Sequence, residues 1–386
     1  MSRVDSLLLI FSFALGAVIG SFTNVLIYRV PRGESVAFPP SHCPNCDHQL
    51  GVLDLVPIVS WLGLRGKCRY CSNPISSRYP IIEFISGLAY LAIAWKFPML
   101  EFGLTTVALW FLFTMLLAGS AVDLETKMLP DPFTLPLVAV GLLVAFIAKP
   151  DSSFPNFWQA LEGACIGAGV LALISGFGAF ALRKFGDVKY PTPPLDYQTV
   201  HAAALVGAIV AAFAGPWWAL VAGLVLMVAH ALVNIVSKNY LRIPDWLTFG
   251  GLIVALIVPV AVPGLSFLEM LRGALIACGA VAIVCGVLWV FLPDPFPNVP
   301  EDDLDPVAMG FGDVKLLAAI GAFLGWQGVV FGLAIAILLG AVIGVIGRIM
   351  GGGREIPFGP YLAGGAMIAL FTGSAPLLTY LRQFGL

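Results

Sequence analysis

The sequence predicts an all-α polytopic membrane protein with about twelve transmembrane helices and one small cytoplasmic loop domain. Of its 386 residues, 59% are hydrophobic and only 11% carry a charge, and the mean hydropathy is +0.96. Apolar runs of about 18 residues or more recur along the chain, which is the length that a helix needs to cross a bilayer core about 30 Å thick. Because backbone polar groups in lipid must be paired internally, and the alternation of a membrane barrel is absent, these runs are predicted as helices.

The candidate spans are apolar runs separated by more polar segments. They lie near residues 6–28, 80–97, 103–121, 133–148, 160–182, 198–214, 216–236, 248–263, 270–292, 316–331, 331–350 and 360–380. The first run is followed by Arg29 and Arg32 rather than by a small-residue cleavage site. We therefore interpret it as a retained helix and not as a signal peptide.

The orientation is predicted from the Lys and Arg residues of the loops, because cytoplasmic loops carry an excess of them. When the loop after the first span is placed in the cytoplasm, fifteen of the 20 Lys and Arg residues fall in cytoplasmic segments. Both chain ends are then expected on the opposite side of the membrane. The segment between the first two spans becomes a cytoplasmic domain.

The chain is predicted to have six parts. In order, they are the first transmembrane helix (1–29), a cytoplasmic cysteine domain (30–79), further transmembrane helices (80–121), a four-helix membrane repeat (122–236), its second copy (237–350) and a C-terminal transmembrane helix (351–386).

Two shared motifs indicate the repeat. FGDVK occurs at 185–189 and at 311–315, and LPDPFT at 129–134 matches IPDWLT at 243–248 in its Pro, Asp and Thr. Two motifs in the same order favour a duplication over chance similarity of apolar helices. The copies differ, because Asp123 of the first copy has no counterpart in the second.

Asp123 and Asp313 are the candidate catalytic residues. Each lies at the predicted cytoplasmic end of a span, where an ionisable side chain is costly and therefore indicates a function. Two facing carboxylates can share one proton, so that one acts as a base on a water molecule and the other as an acid. This arrangement suits hydrolysis of a peptide bond without a metal ion or a covalent intermediate. Asp131 and Asp245 each follow a Pro just before a span and are interpreted as helix N-caps.

The cytoplasmic loop contains two CxxC pairs separated by 21 residues, formed by Cys43, Cys46, Cys68 and Cys71. This is the spacing of a structural zinc site with four thiolate ligands. Disulfides are the competing interpretation, which the predicted cytoplasmic location disfavours. A short loop with few large apolar residues needs such an ion to fold, so we predict a small cytoplasmic zinc-binding loop domain. Substitution of His42 or His48 for one cysteine ligand stays open.

The aspartate motifs resemble those of the type IV prepilin peptidases, which belong to the GxGD intramembrane aspartyl proteases. The resemblance rests on Asp123 with LPD downstream, GFGDVKLLAAIGAFLG at 310–325 and IPFGPYLAGG at 356–365. It implies that Asp123 and Asp313 are the catalytic pair of an aspartic endopeptidase. The implied substrates are the precursors of type IV pilins or type II secretion pseudopilins. The implied location is the bacterial inner membrane, with the active site on the cytoplasmic side, lipid as a partner and no nucleic acid.

The amino-terminal segments extend this resemblance to the bifunctional members of the family. They are GSFTNVLIYRVPRGES at 20–35, VPIVSWLGLRGKC at 56–68 and SSRYPIIEFISG at 76–87. The resemblance implies a methyltransferase-associated zinc domain and N-methylation of the new N-terminus with S-adenosylmethionine as the methyl donor. The residues alone show no glycine-rich dinucleotide-type motif for a methyltransferase. Glu83 and the arginine cluster of Arg65, Arg69 and Arg78 are candidates for binding the methyl donor or the substrate. For the arginines, we favour the alternative role of setting the membrane topology.

Three alternatives stay open. The usual family core has one four-span unit where this chain has two, so Asp187 of the first FGDVK competes with Asp313 as the partner of Asp123. We favour Asp313, because only its copy has the full GxGD motif. A transporter built from two parallel repeats, or an assembly component with a decayed site, are the alternatives from other functional classes. The sequence does not predict an oligomeric state.

Overall fold

The computed structural model describes residues 3–148, 154–185, 197–237, 243–244, 246–291, 309–350 and 357–373. These residues form thirteen α-helices and no β-strand. The helices are α1 Arg3–Arg29, α2 Val59–Gly63, α3 Arg78–Lys96, α4 Met99–Phe102, α5 Leu104–Thr126, α6 Asp131–Ile147, α7 Phe157–Phe185, α8 Tyr197–Ala214, α9 Pro216–Ser237, α10 Gly251–Ala261, α11 Phe267–Phe291, α12 Phe311–Ile349 and α13 Gly359–Thr372. A π-helical turn, Trp246–Gly250, leads into α10.

The helical membrane class is confirmed, whereas the number of twelve spans is not. Among the described residues, six helices are long and apolar enough to cross a membrane: Asp5–Arg32, Leu104–Thr126, Phe157–Ala181, Pro216–Asn234, Phe267–Leu288 and Phe311–Ile349. Four further apolar helices have 10–17 residues: Asp131–Ile147, Thr199–Ala214, Trp246–Ala261 and Gly359–Thr372. Such helices are shorter than the roughly 20 residues of a straight span, so their number alone does not give the number of crossings.

Helix α12 covers the region in which two spans, 316–331 and 331–350, were predicted. It contains one residue with non-helical geometry, Gly325, at φ 67° and ψ 178°. Glycine adopts a positive φ without the steric cost that a side chain brings. The break between the two helical segments therefore occurs at Gly325 and not near residue 331, where the prediction placed it.

The chain divides into two compact units, residues 1–140 with 336–367 and residues 141–335 with 368–386. In the first unit, α1 packs along α3, and α5 packs against both. Helices α1 and α3 pack closely because Gly16 and Gly20 have no side chains. A Cβ on Gly16 would lie 2.6 Å from the carbonyl oxygen of Ser86, and one on Gly20 would lie 2.8 Å from Cα of Glu83. This packing brings the start of α3 against the end of α1.

In the second unit, α11 packs against α7, α8 and α9. A Cβ on Gly279 of α11 would lie 1.8 Å from the carbonyl oxygen of Cys165, and one on Gly321 of α12 would lie 2.0 Å from that of Gly163. Helix α7 therefore contacts both α11 and α12 through its backbone. Small residues allow such close packing between membrane helices, where the hydrophobic effect does not drive association.

Candidate active site and metal centre

Asp123 lies in the last turn of α5 and is 5% exposed. Its Oδ2 atom accepts a hydrogen bond of 2.9 Å from the backbone N–H of Gly359, the first residue of α13. The N–H groups of a first helical turn have no partner within the helix, so the carboxylate satisfies one of them at the positive end of the helix dipole. A Cβ on Gly359 would lie 2.8 Å from Oδ2. A side chain at position 359 would therefore displace Oδ2 from this contact.

Local sequence places both helix ends that meet at this contact. Helix α5 ends at Thr126, and the next residue, Lys127, has a φ of 56° and donates its N–H to the carbonyl oxygen of Asp123 at 2.8 Å. Helix α13 begins in the segment PFGPYL, and Pro360 lies in its first turn, where the missing N–H removes no helical hydrogen bond. The chain thus ends one helix just after the carboxylate and begins another beside it, whose first N–H has no partner within its own helix.

The cysteine domain lies at the same end of the first unit as Asp123. Arg78, the first residue of α3, forms an ion pair with Glu125 in the last turn of α5. Residue 78 directly follows the cysteine domain, and Glu125 is two residues from Asp123. The predicted domain and the predicted catalytic residue are therefore neighbours within this unit.

Asp313 lies in the first turn of α12, is partly exposed and donates its backbone N–H to the carbonyl oxygen of Gly310 at 3.1 Å. The next charged residue, Lys315, is buried, and its Nζ lies 5.2 Å from the centroid of the Phe311 ring. Both side chains lie against Gly286 of α11, where a Cβ would be 3.0 Å from the Phe311 ring and 3.3 Å from Cδ of Lys315. The GFGDVK motif is thus packed against α11 in the second unit.

The structure places Asp123 in the first unit and Asp313 in the second, so their pairing stays a prediction. Asp187, the alternative partner, lies outside the described residues, and so does Asp245. The predicted repeat of 122–236 and 237–350 is likewise still a prediction. Asp131 is the first residue of α6, where a carboxylate interacts favourably with the helix dipole.

The four cysteines of the loop form one compact cluster that contains no histidine. Their Sγ atoms all lie within 4.8 Å of one another, and those of Cys43 and Cys71 are 3.8 Å apart. Four thiolates at metal–sulfur distances of about 2.3 Å form a tetrahedron with edges of about 3.8 Å, so the cluster fits a tetrahedral metal ion. All seven cysteines of the chain lie within the described residues, and none forms a disulfide. The site therefore suits a structural metal ion rather than a disulfide pair.

Two turns of the same geometry build the cluster. In each turn, the N–H of the first cysteine donates to the carbonyl oxygen five residues later, at 3.0 Å for Cys43 and 2.8 Å for Cys68. The residue after the second cysteine has a positive φ, 54° at Asp47 and 62° at Ser72. Short polar residues such as Asp adopt this left-handed conformation more readily than bulky ones. Each CxxC pair is thus organised locally, which is why its spacing alone predicted the site.

Backbone donors favour the metal-binding form of one thiol. The N–H groups of Cys71 and Tyr70 lower the pKa of the Cys68 thiol to about 7. The thiolate is the form that ligates metal ions.

Side chains around the cluster connect its two turns. The ring of Tyr70 lies on that of His48, with centroids 3.6 Å apart, which places one turn against the other. Arg69 and Tyr70 both donate to the carboxylate of Asp54, at 2.6 and 3.1 Å. The Arg69 guanidinium is the main cause of the lowered pKa of the Asp54 carboxyl. His48 thus supports the cluster by stacking and not as a ligand.

Sequence reasoning did not single out Gly359 or Asn24. For Gly359, the signal was the Pro-Phe-Gly-Pro run, because proline and glycine often mark the start of a helix. For Asn24, the signal was an amide within the first apolar span, where a polar side chain is costly. Asn24 is 3% exposed, and its Nδ2 donates to the carbonyl oxygens of Gly20 and Tyr79 at 3.2 and 3.4 Å.

Two family models match most of the chain. The model described as the bacterial peptidase A24 N-terminal domain matches residues 14–97. The model described as the type IV leader peptidase family matches residues 110–193 and 224–345. Asp123 lies in the first of these two segments and Asp313 in the second. No solved structure matches the chain.

Curated relatives match between 45% and 95% of the chain. A prepilin leader peptidase/N-methyltransferase of Aeromonas hydrophila is 34% identical over 273 residues, which cover 62% of this chain and 88% of the relative. A protein of the same name from Burkholderia pseudomallei (strain K96243) is 28% identical over 399 residues, which cover 95% of this chain and 86% of the relative. A type 4 prepilin-like proteins leader peptide-processing enzyme of Escherichia coli O78:H11 is 33% identical over 195 residues, covering 45% of this chain and 70% of the relative.

Proposed function

Because the chain belongs to the type IV leader peptidase family, we propose that Asp123 and Asp313 form the site with which it cleaves prepilin leader peptides. The observation that carries the proposal is the buried carboxylate of Asp123, hydrogen-bonded to the first N–H of α13. Burying a carboxylate at the end of a membrane helix, without a paired cation among its described contacts, costs free energy. Such a residue therefore indicates a function. The substrates are type IV prepilins or type II secretion pseudopilins.

The chemistry follows from two carboxyl groups that share one proton. The ionised carboxylate takes a proton from a water molecule, whose oxygen attacks the carbonyl carbon of the scissile peptide bond. The protonated carboxyl group donates its proton to the carbonyl oxygen, which gives a tetrahedral intermediate with two hydroxyl groups. The carboxyl group that took the proton from water then passes it to the peptide nitrogen, and the C–N bond breaks to release the amine of the new N-terminus. The other carboxylate takes one hydroxyl proton as the new carboxyl group of the leader forms. The Gly359 N–H occupies Oδ2 of Asp123, which leaves Oδ1 for the water molecule or the shared proton.

The amino-terminal part supplies the second activity, N-methylation of the new N-terminus. The match of residues 14–97 to the N-terminal domain model and the names of the bifunctional relatives support it. S-adenosylmethionine supplies the methyl group. The ion at the four cysteines is zinc, because tetrahedral sets of four thiolates are typical structural zinc sites.

We place the protein in the bacterial inner membrane, with the cysteine domain and both aspartates at the cytoplasmic surface. The Lys and Arg distribution and the position of Asp123 at the domain end of its unit support this orientation. The substrate's apolar helix then lies in lipid, and its basic leader lies in the cytoplasm. The transporter and the decayed assembly component are not favoured, since the peptidase family model includes both aspartates.

The function is tested with the full chain in lipid nanodiscs and a prepilin-type precursor, with and without S-adenosylmethionine. Mass spectrometry is expected to show one cut that removes the basic leader, and one added methyl group on the new N-terminus only when the methyl donor is present. Failure of the folded, metal-loaded protein to cut any such precursor would contradict the peptidase proposal. Cleavage without methylation would contradict the methyltransferase assignment alone.

Substitution of Gly359 by alanine is expected to lower the rate of leader cleavage and to leave the fold intact. The new Cβ would lie 2.8 Å from Oδ2 of Asp123, and this oxygen is the end of a side chain that can rotate away. A displacement of about 1 Å in a catalytic group can lower a rate about 100-fold. The cleavage rate and the melting temperature of each variant provide the measurement.

Gly364→Ala is the matched control, because it adds the same methyl group to α13. A Cβ on Gly364 would meet only Cδ1 of Leu339, at the ordinary contact distance of 3.5 Å. The control is expected to cleave at nearly the wild-type rate. Equal rates for the two variants would show that the Gly359 contact does not position Asp123.

A further inference from the structure

We propose that Glu83 and Asn24 bind an ammonium group of a substrate where α1, α3 and the cysteine domain meet. The inference rests on the methyltransferase part of the proposed function. Both substrates of that reaction carry an ammonium group, namely the new N-terminus of the cleaved prepilin and the amino-acid part of the methyl donor. Both are accordingly tested below.

Glu83 is a buried carboxylate with acceptor capacity to spare. It lies in the second turn of α3 and is 7% exposed. Its Oε2 accepts a hydrogen bond of 2.7 Å from the N–H of Ile58, and the side chain of Ser21 also hydrogen-bonds to it. Neither partner is a cation, and a carboxylate has about four acceptor positions, so two partners leave room for a ligand. A buried negative charge without a counter-ion is unfavourable, and a bound cation removes that cost.

Asn24 of α1 provides a second acceptor, about one helical turn along the α1–α3 interface from Glu83. It is 3% exposed, and its Oδ1 has no hydrogen-bond partner among the described residues. Its Nδ2 donates to the carbonyl oxygen of Tyr79, one turn before Glu83 on α3. Gly20, one turn before Asn24 on α1, lies so close to α3 that a Cβ on it would be 2.8 Å from Cα of Glu83. Asn24 and Glu83 are therefore offset along the α1–α3 interface by about one helical pitch of 5.4 Å.

The donor that contacts Glu83 is held in a strained turn. Ile58 has φ 63° and ψ −52°, and Val59 donates its N–H to the carbonyl oxygen of Pro57 at 2.6 Å, which defines a three-residue turn. A β-branched residue in this region is an outlier, and such turns are rare because they are strained. Strain of this kind is frequent where a backbone group must be oriented for a ligand. The cysteine domain thus aims one N–H at Glu83 and fixes the orientation of its carboxylate.

The acceptor atoms that have no partner indicate the chemistry of the ligand. The remaining lone pairs of Glu83 and Oδ1 of Asn24 are acceptors, and the carboxylate is negative. An ammonium group has three donors, one positive charge and no acceptor, so it matches both atoms. Arg29, the last residue of α1, does not pair with these acceptors among the described contacts, because its guanidinium donates to the carbonyl oxygens of Ser35 and Pro39 at 2.9 and 2.7 Å.

The test compares ligand binding to full-length, metal-loaded wild type and Glu83→Gln in nanodiscs. One probe is S-adenosylhomocysteine, which has the ammonium group and no transferable methyl group. The other is a peptide of the mature pilin N-terminus, with a free amine or with an acetylated amine. Loss of a charge-assisted hydrogen bond is expected to weaken the ammonium ligand by about 10- to 100-fold. Leader cleavage, measured on the same preparations, is expected to persist.

The pattern of weakening identifies the ligand. Weaker binding of S-adenosylhomocysteine alone assigns the site to the methyl donor. If the variant no longer binds the free-amine peptide more tightly than the acetylated peptide, the site is assigned to the new N-terminus. Glu34→Gln is the matched control, because it removes an exposed carboxylate from the cysteine domain. This variant is expected to bind both probes as wild type does.

Unchanged binding of both probes to a folded Glu83→Gln variant would overturn the inference. If that variant loses its metal ion or its thermal transition, Asn24→Ala decides by the same assay, with weaker binding expected and wild-type binding contradicting the proposal. Absence of leader cleavage by the wild type would contradict the proposed function instead, so the two failures are distinguishable.

Discussion

Asp123→Asn and Asp313→Asn are each expected to lower the rate of leader cleavage by about 10²- to 10⁴-fold, the usual contribution of a general acid or base. Asparagine keeps the size of the side chain but can neither take nor give the proton that the two carboxyl groups share. Oδ1 of the new amide can still accept the hydrogen bond from the Gly359 N–H, so the contact at α13 is kept without its negative charge. The measurement is the initial rate of precursor cleavage in nanodiscs.

Two further variants make this result specific. Glu125→Gln changes a carboxylate in the same turn of α5 that is 47% exposed and paired with Arg78, and it is expected to cleave at nearly the wild-type rate. Asp187→Asn is expected to retain activity if the full GxGD motif supplies the partner. Loss at Asp123 and Asp187, with activity kept at Asp313, would move the site into the first repeat. Methylation of an already mature peptide serves as the folding control.

Cys68→Ser is expected to release the metal ion and to unfold the loop between the first and second CxxC pairs. Structural zinc ions contribute about 10–16 kcal/mol to the folding of small zinc-binding peptides. Among the described residues, the loop has few buried apolar side chains that could replace this contribution, and Cys43 and Cys68 are its buried cysteines. Metal content per chain and limited proteolysis provide the measurement.

Loss of the ion is expected to lower the methyltransferase activity more than the leader cleavage activity. The loop supplies the Ile58 N–H to Glu83, so an unfolded loop leaves that carboxylate without its oriented donor. Cys285→Ser is the control, because Cys285 lies in α11 beside the sulfur of Met227 and is remote in sequence from the loop. It is expected to keep one metal ion per chain. A Cys68→Ser protein that retains its ion and its protease resistance would contradict the structural role of the cluster.

The features that the sequence predicted correctly are those whose causes are local. The CxxC pairs bend into the same turn because each turn closes its own hydrogen bonds within five residues. The apolar runs become helices because lipid offers the backbone no other partner. The division of the last long helix was predicted near residue 331 but occurs at Gly325, since hydropathy does not record which glycine adopts a positive φ.

The count of spans shows the same limit. The runs near 133–148, 198–214, 248–263 and 360–380 correspond to helices of 10–17 residues, and six others are long enough to cross. Hydropathy reports how apolar a segment is, whereas the ends of a helix depend on caps, prolines and neighbours. An apolar run is therefore a weaker guide to a full crossing than to helical structure.

The sequence by itself determined the membrane class, the four cysteines that cluster in the loop and the two aspartates worth testing, because composition, spacing and isolated charges are properties of short segments. Tertiary structure alone brought Gly359 to Asp123 across 236 residues, and Ile58 to Glu83 across 25. It also left Oδ1 of Asn24 buried without a hydrogen-bond partner among the residues that the structure describes. These contacts depend on how helices pack, and helix packing is fixed by close approaches such as Gly20 against Glu83, which no periodicity in the chain encodes.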